Sequence, residues 1–341
     1  MGTLLPDRHP NKDFFVLDVQ DSTAKDDMAS MEHPIYSLSV KPDMRELEYD
    51  YKDHKMKIVP SGRGLATIVD KDIILYAISK QIHEMNQGRE ITDWVEFTAH
   101  EVMVATNKNT SARDYQRLED SLVRLLGTQV ITNIKSGGYE PDKGFTLINA
   151  WEIDRRDENG KVGLFGRMSK VRIQLSQWTM AAIEAQQVLT INARYFRLRK
   201  PMERRLYELA RKHVGNQAKW EISLPNLQLK VGSKSPLKRF RFAIKEIIRD
   251  GNIPDYDFGL EGSKVVVRRK KPLTKAAPKV TVREDTIERA REMAIDKGYD
   301  FNGLMKEWEG MIAANGPPEN ADGALIGFIK QKKRLRQASL F

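Results

Sequence analysis

The chain has 341 residues, 40% hydrophobic and 30% charged, which is enough for two globular domains and a tail. It has no cysteine, which excludes disulfides and thiolate chemistry, and no apolar run approaches the roughly 18 residues that span a bilayer. The net charge is +10, and residues 191–271 alone carry 21 Lys and Arg against 8 Asp and Glu. Such a block predicts a nucleic-acid-binding domain, because neutralised phosphates release condensed counterions.

The first half of the chain predicts a winged helix-turn-helix. Residues 1–30 are polar and mixed in charge, and we expect them to form a flexible arm. Apolar residues then recur at helical spacing, and two strand-like runs flank a turn with Gly137 and Gly138. Helix, turn, helix and hairpin is the order in which a winged helix places its second helix in the major groove. The predicted elements are a helix over Asp70–Met85, a short helix over Thr98–Ala105, a longer helix over Ser111–Leu126, and a hairpin built from QVITNI and GFTLINAWEI.

The same order of elements recurs after residue 191. MERRLYELARKHV predicts a helix, ISLPNLQLKVG contains a second, and SKSPLKRFRFAIKEIIRDG gives a third at the recognition position. We expect Ser235 to cap this third helix and Gly251 to end it. IPDYDFGLEGSKVVVRRKK predicts two strands that form a basic wing. The third helix should bury an apolar stripe of Leu237, Phe240, Ile244, Ile247 and Ile248 beside a cationic stripe of Lys238, Arg241, Lys245 and Arg249.

The predicted fold class is therefore α+β, with two tandem winged helix-turn-helix domains and a small helical C-terminal tail. GRMSKVRIQLSQWTMAAI predicts a strand and a helix that brace the two domains, and PLTKAAPKVT has the composition of a linker. The predicted boundaries are 1–30 for the arm, 31–155 for the first winged-helix domain, 156–190 for the connecting strand and helix, 191–272 for the second, strongly basic winged-helix domain, 273–281 for the linker and 282–341 for the tail.

Candidate DNA-binding residues lie in both helix-turn-helix units and in the second wing. Asn, Gln and Arg side chains pair with base edges, whereas Ser and Thr suit phosphates or bases. In the first unit Arg113, Arg117 and Arg124 lie opposite the leucine face, and an ordinary capped surface helix is the alternative because nearby acidic residues dilute the charge. The predicted contacts are Asn107, Lys108, Asn109, Thr110, Ser111, Arg113, Gln116 and Arg117 in the first domain, and Lys234, Lys238, Arg239, Arg241, Lys245, Arg268 and Arg269 in the second.

The helix that opens the second domain is itself basic, and two interpretations of it stay open. In the first interpretation its arginines contact phosphates, because the first helix of such a unit crosses the DNA backbone. Alternatively, Arg204 and Arg205 form intrahelical pairs with Glu208, which contribute only tenths of a kcal/mol.

The sequence contains no catalytic or cofactor motif. Its six histidines show neither a His-x-His nor an HExxH spacing, which argues against metal-assisted chemistry and against a rolling-circle nickase. PSGRGLATI lacks the GxxxxGK[ST] pattern and is interpreted as a turn. We therefore expect no enzymatic activity, no cofactor and no metal, with any DNA opening driven by binding and deformation.

Four long stretches resemble the replication initiator protein A family of plasmid replication initiators. They are KDDMASMEHPIYSL, GLATIVDKDIILYAISK, FTAHEVMVATNKNT and INARYFRLRKPMERRLYELARKH, and the likeness extends from about residue 13 over nearly the whole chain. The resemblance implies tandem winged helices that bind direct repeats in double-stranded origin DNA and help to open an adjacent AT-rich stretch. We expect a bacterial cytoplasmic protein, associated with nucleoid or plasmid and not with membrane. Its candidate partners are the host initiator, the replicative helicase and a second copy of the chain.

A transcriptional repressor or a partition-type DNA-binding regulator is the alternative function, since two winged helices would also serve it. A regulator usually carries a ligand pocket or a single dimerised reading head, whereas this chain predicts two reading heads and a tail. Some initiators also repress their own promoters, so the two roles can coexist.

The last five residues, QASLF, resemble a short peptide, Gln-Leu-Ser/Asp-Leu-Phe in consensus, with which bacterial replication proteins bind the polymerase sliding clamp. Leu340 and Phe341 would fill an apolar pocket, and Gln337 would hydrogen-bond at its rim. Ala338 departs from the consensus leucine, which weakens the fit. The host sliding clamp is therefore a further candidate partner.

Overall fold

The protein has a mixed α/β fold whose residues group into two compact units, Met1–Lys270 and Lys271–Phe341. The computed structural model describes residues 4–9, 25–51, 54–86, 89–134, 144–156, 162–163, 166–185, 187–215, 217–270, 282–297, 301–315, 318 and 320–332. Within these residues, no helix is both long enough and apolar enough to cross a membrane.

The first half of the larger unit contains the helices that the apolar spacing predicts, each within one residue of its expected bounds. Local signals explain this accuracy. Thr98 caps its helix through a capping box, in which the Thr98 hydroxyl accepts from the Glu101 amide (3.1 Å) and the Glu101 carboxylate accepts from the Thr98 amide (2.8 Å). The elements are β1 (Lys25–Asp27), α1 (Met28–Glu32), β2 (Leu47–Tyr51), β3 (His54–Val59), α2 (Lys71–Asn86), β4 (Trp94–Thr98), α3 (Ala99–Ala105), α4 (Ala112–Gly127), β5 (Gln129–Thr132), β6 (Phe145–Thr146), β7 (Ile148–Arg156), β8 (Val162–Gly163), β9 (Arg167–Leu175) and α5 (Gln177–Glu184).

The prediction that QVITNI and GFTLINAWEI form one hairpin is wrong for most of the second stretch. β5 pairs with β6 over only two residue pairs, in a sheet of order β2-β3-β5-β6. β7 instead joins a second sheet of order β4-β9-β7-β8, where it pairs with β9 from Ile148–Leu175 to Arg156–Arg167. The strand predicted to connect the two domains is therefore the centre of this sheet. The cause is burial, since the alternate residues Val171, Ile173 and Leu175 of β9 are fully buried in the core.

The second half repeats this topology with fewer insertions. Its elements are β10 (Val188–Thr190), a 3-10 turn (Ala193–Arg197), α6 (Pro201–Val214), β11 (Lys219–Ser223), α7 (Leu224–Val231), α8 (Leu237–Asp250), β12 (Tyr256–Glu261) and β13 (Lys264–Arg269). The sheet order is β11-β13-β12, so the strand before the helix pair again pairs with the last strand. β4-β9-β7 has the same arrangement, so the strand pairing of the two halves is alike.

Helix α8 departs from its prediction at its N-terminus. Pro236 precedes the first helical residue and makes no side-chain cap bond, whereas the Ser235 hydroxyl shares a hydrogen bond with that of Ser233 (3.0 Å), so Ser235 is not the cap. Gly251 ends the helix as predicted, at φ +63°, a conformation that glycine adopts without strain. Leu237 is 42% exposed and does not belong to the buried stripe, because it lies in the first turn, beyond the core.

The segment predicted as a flexible arm has defined structure where it is described. The Leu5 amide donates to the carbonyl of Arg197 (2.9 Å), and the Arg8 amide donates to the side chain of Asn107 (2.9 Å). β1 pairs antiparallel with β10, from Lys25–Thr190 to Asp27–Val188. Backbone hydrogen bonds to residues far away in sequence therefore order residues 4–9 and 25–27, and such partners leave no local pattern.

The two halves of the larger unit are joined by buried charges. Arg204 on α6, 4% exposed, donates to Asp72 on α2 (2.6 Å), and Lys71 on α2 pairs with Glu208 on α6 (3.1 Å). Arg205 is also buried and pairs with Glu208 (3.1 Å), while it donates to backbone carbonyls of α1 and α7. The intrahelical alternative therefore holds for Arg205, while Arg204 pairs across the halves, and burial keeps both side chains away from any phosphate.

Within its described residues the smaller unit contains three helices, which agrees with the predicted helical tail. They are α9 (Glu284–Asp296), α10 (Phe301–Asn315) and α11 (Ala321–Gln331), and their shared core contains Ala290, Leu304, Trp308, Leu325 and Ile329. The predicted linker over 273–281 and the QASLF peptide lie outside the described residues.

Candidate nucleic-acid interface

Helix α8 presents a cationic face because its opposite face is buried in the core. Phe240, Ile244 and Ile247 are each less than 5% exposed and pack against the β11-β13-β12 sheet and neighbouring helices. At 100° per residue, the exposed side chains of Lys238 and Lys245 project away from this core. Arg239 is exposed on one flank. Lys238 and Lys245 therefore lie where the predicted cationic stripe places them.

Two contacts fix α8 against the strand pair that follows it. The Arg241 guanidinium donates to the carbonyl of Gly262, in the turn between β12 and β13 (3.0 Å). Lys270 donates to the carbonyls of Gly251 (3.1 Å) and Ile253 (2.8 Å), just beyond the C-terminus of α8, where the helix dipole favours a cation. Arg241 is therefore half-buried and positions the β12–β13 turn beside the helix.

The β12–β13 pair, the second wing, carries exposed cations next to α8. Arg268 and Arg269 end β13 and are both exposed. Arg268 forms an ion pair with Glu261 (3.0 Å), in which both side chains are at least half exposed. An exposed pair of this kind is worth little, so Arg268 can exchange Glu261 for another anion at small cost.

Lys234 lies between the two halves and does not extend the cationic face. Its ammonium donates to the carbonyl of Glu48 (3.0 Å) and lies over the ring of Tyr49 (4.6 Å from the centroid). Burial raises the pKa of Tyr49 to about 12, so the ring stays a neutral phenol at physiological pH. Sequence spacing places Lys234 with the recognition helix, whereas its contacts are with β2.

In the first half, the start of α4 is exposed much as predicted. The amide and hydroxyl groups of this segment and its two arginines lie at the surface, and Arg117 forms an ion pair with Asp114 (3.0 Å). Ser111 precedes the first helical residue, and its hydroxyl bonds to Asp114 and not to the backbone. The exposed candidates are Asn109, Thr110, Ser111, Arg113, Gln116 and Arg117.

Asn107 and Lys108 have structural roles, contrary to their prediction as DNA contacts. Asn107 is 4% exposed at φ +56°, and its amide accepts from Arg8 and donates to the carbonyl of Pro6 (3.0 Å). Lys108 forms an ion pair with the buried carboxylate of Asp72. Both partners are distant in sequence, which explains why an apparently polar turn is in fact packed.

The helical position of Arg124 predicts that its side chain faces solvent, but the side chain bonds within the protein. Its guanidinium forms two parallel hydrogen bonds of 2.7 Å with Asp70, which lies at the start of α2. Burial acts to raise the pKa of Asp70, but hydrogen bonds and the charge of Arg124 outweigh it and hold the pKa below its usual range. Arg124 thus fastens α4 to α2.

Sequence reasoning missed the basic residues of the β7–β9 pair, which we call the first wing. Arg156 and Arg167 occupy directly paired positions of the two strands, and both side chains are exposed. Arg155 ties this wing to α4 through an ion pair with Glu119 (2.7 Å). The signal that could have identified this wing is the alternation of apolar and polar residues in RMSKVRIQL, which is typical of a strand with one buried face and which also occurs in its partner strand WVEFT.

The described part of the chain contains no group of three or more His, Cys, Asp or Glu residues arranged to hold a metal ion. Its acidic side chains largely form ion pairs with Lys and Arg, such as Glu119 with Arg155, Asp114 with Arg117 and Glu246 with Arg249. What the surface offers chemically is therefore hydrogen-bond donors and positive charge, which suit phosphates and base edges.

Comparisons with known proteins show what this chain is similar to. The profile of the family "Replication initiator protein A" matches residues 25–258. A putative replication protein of Wigglesworthia glossinidia brevipalpis is 39% identical over 249 residues, which cover 72% of this chain and 88% of that protein. The crystal structure of domains 2 and 3 of RctB superposes with a TM-score of 0.52 at 10% identity, covering 71% of this chain and 98% of that one. At this identity the superposition shows a shared fold.

Proposed function

Because this chain belongs to the replication initiator protein A family, we propose that it initiates plasmid replication by binding directly repeated origin DNA through two winged-helix modules. The first module is β4, α3, α4 and the first wing, and the second is β11, α7, α8 and the second wing. In each module the second helix of the pair is the reading helix, and the wing lies beside it against the DNA backbone.

The exposed cationic face of α8 is the observation that carries the proposal. Lys238, Arg239 and Lys245 project from a helix whose opposite side is buried, and Arg268 and Arg269 extend the same charge onto the adjoining wing. Residues 191–271 hold 21 Lys and Arg against 8 Asp and Glu, so this charge is not cancelled locally. A duplex backbone is the ligand that such a continuous cationic surface fits.

The first wing supports a second DNA contact. Arg156 and Arg167 are directly opposite each other in an antiparallel pair, an arrangement in which like charges destabilise the strands. A phosphate between the two side chains would remove this repulsion. The polar start of α4 then supplies the amide and guanidinium groups that read base edges.

Buried ion pairs between α2 and α6 support a fixed spacing of the two modules. The Arg204–Asp72 and Lys71–Glu208 pairs are almost inaccessible to water, and breaking such a pair leaves an uncompensated buried charge. The two reading helices, α4 and α8, are therefore held in one compact unit. DNA sites repeated at a matching interval are the ligand that this arrangement favours.

Binding and deformation of the duplex, without nucleotide hydrolysis, would open the adjacent AT-rich stretch. The C-terminal Gln337, Leu340 and Phe341 would then recruit the host sliding clamp, and the opened strand would receive the replicative helicase. In this proposal the protein acts in the bacterial cytoplasm, with the host initiator as a further partner, and binding over its own promoter would repress its synthesis.

A plasmid-maintenance assay tests the proposal. The gene and its upstream DNA are placed on a vector that lacks an origin, and we expect the vector to be maintained in a suitable host. Combined Lys238→Ala and Lys245→Ala changes should abolish maintenance, whereas Lys55→Ala, an exposed lysine on β3, should not. Loss of the vector together with repression of the upstream promoter would instead identify a transcriptional regulator.

A further inference from the structure

Phe242 is an apolar side chain at the centre of the cationic face of α8. It is 64% exposed, more than any other aromatic side chain in the part of the chain whose burial is described. At 100° per residue it lies about 170° from the middle of the buried face formed by Phe240, Ile244 and Ile247. Phe242 therefore points where a reading helix meets its ligand.

The neighbours of Phe242 along the helix are cations except for Glu246, which follows it by four residues. Lys238 precedes it by one turn, Lys245 follows it by one turn, and Arg249 lies one further turn along the same stripe. Arg249 is held by Glu246 (2.7 Å), while the side chains of Lys238 and Lys245 are exposed. An apolar groove of a protein partner would have to desolvate these lysines, so the charge favours a polyanion that also offers an apolar group.

Duplex DNA offers such a group in its major groove. The 5-methyl group of thymine is the apolar feature among the donors and acceptors of the base edges, and aromatic side chains contact it. The phosphates on either side of the groove would meet the lysines before and after Phe242. We propose that Phe242 reads the 5-methyl group of a thymine in the DNA repeat and so contributes to the choice of sequence.

This inference rests on the proposed function, and it makes the binding of α8 sensitive to a single methyl group. Burying one methyl group changes affinity by about fourfold. Deoxyuridine pairs as thymine does but lacks the methyl group, so it removes the contact without changing the hydrogen bonds of the base pair. Phe242→Ala removes the same contact from the side of the protein.

The test measures the affinity of the full chain for the plasmid's own repeat DNA, and for the same duplex with deoxyuridine in place of every thymine. The wild-type protein should bind the deoxyuridine duplex about fourfold or more weakly. Phe242→Ala should bind the thymine duplex more weakly and show no preference between the two. Val40→Ala, at an apolar residue that is 81% exposed in the loop before β2, should keep the wild-type preference.

Three other outcomes would overturn the proposed thymine contact. If Phe242→Ala keeps the thymine preference while both proteins bind the repeat, the inference is overturned and the proposed function stands. If the wild-type protein fails to bind the repeat, the proposed function and the inference fall together. If Phe242→Ala dissociates a dimer in sedimentation velocity and keeps the thymine preference, the side chain contacts a second copy and the inference is wrong. Unchanged thermal unfolding, expected for so exposed a side chain, shows that the variant is folded.

Discussion

Lys238 and Lys245 differ from three other basic side chains of the second half, each of which bonds to a backbone carbonyl. Arg241 bonds to the wing turn, Lys270 bonds beyond the C-terminus of α8, and Lys234 bonds to β2, so each has a structural partner. The side chains of Lys238 and Lys245 are exposed on the helix surface, so phosphates can neutralise them without breaking the fold. In this module some basic side chains therefore hold the fold together, while others are exposed and available to a ligand.

Replacing either exposed lysine should weaken DNA binding without weakening the fold. We expect Lys238→Ala and Lys245→Ala each to lower the slope of log affinity against log salt by about 1, because each removes one phosphate contact. The free energy of unfolding should change by no more than about 0.5 kcal/mol. Fluorescence anisotropy at several salt concentrations measures the slope, and Lys55→Ala is the matched control. An unchanged slope in both variants would place α8 away from the DNA.

The Asp70–Arg124 pair predicts a stability difference that depends on pH. Arg124→Ala leaves a buried carboxylate unpaired and should lower the free energy of unfolding by about 3 kcal/mol at pH 7. The folded pKa of Asp70 is depressed, so the pair stabilises the protein above the ordinary Asp pKa of 3.8, and this contribution is lost as pH falls through the folded pKa. Without Arg124, burial alone raises the pKa of Asp70, and protonation then relieves the variant.

Urea denaturation of wild-type and Arg124→Ala proteins from pH 7 to pH 3 measures this difference. We expect it to begin to shrink as the pH falls through the raised pKa of Asp70 in the variant, which lies above 3.8, and to go on shrinking toward pH 3. A difference that stays the same across the whole range would show that Arg124 acts through packing and not through its charge.

At the scale of elements, what could be predicted from sequence follows from how local each signal is. The helices α2, α3 and α4 were predictable because their apolar positions lie within the elements themselves, and α3 also has a local cap at Thr98. The partner of β7 was not, since β5 and β9 are both apolar strands and only the packed core selects β9. The same holds for the site: exposure of Lys238, Arg239 and Lys245 follows from helical period, whereas Asn107, Lys108 and Arg124 are withdrawn by partners remote in sequence.

The reassigned first wing gives a prediction of its own. Combined Arg156→Ala and Arg167→Ala changes should weaken origin binding and reduce the salt slope by about 2, because two phosphate contacts are lost. The fold should be unaffected or slightly stabilised, since the two like charges face each other in the strand pair. Electrophoretic mobility shift with repeat DNA measures the effect. Lys55→Ala, on the strand β3 that pairs with β5, should bind as the wild type does. If Lys55→Ala weakened binding and the double variant did not, the sheet that contains β5 would contact the DNA instead.

At the scale of the whole molecule, the larger unit combines an uneven charge distribution with a fixed internal geometry. Residues 191–271 carry the entire excess of positive charge, while the first half contributes exposed amide, hydroxyl and guanidinium groups. Buried ion pairs between α2 and α6 join the two halves into one compact unit. We infer a division of labour in which the second module supplies most of the affinity and the first adds selectivity.

A fixed geometry predicts that binding depends on the distance between the DNA segments that the two modules contact. Inserting about five base pairs, half a turn, between the parts of the site contacted by the two modules should weaken binding markedly, because one reading helix would then face the wrong side of the duplex. Inserting about ten base pairs restores the phase but not the distance, and should restore little of the affinity. Footprinting on the three duplexes separates these cases. Equal protection of all three would show that the modules bind independently.

The dependence of origin binding on salt tests the central claim, that the cationic surface around α8 lies on DNA, most directly. Six to ten phosphate contacts would give a slope of log affinity against log salt of about −5 to −9, and would cost about three to five decades of affinity between about 50 and 200 mM salt. We predict a slope in this range for the wild-type protein on its repeat DNA. A nearly flat plot would contradict the claim, because the charge of residues 191–271 would then have no part in binding.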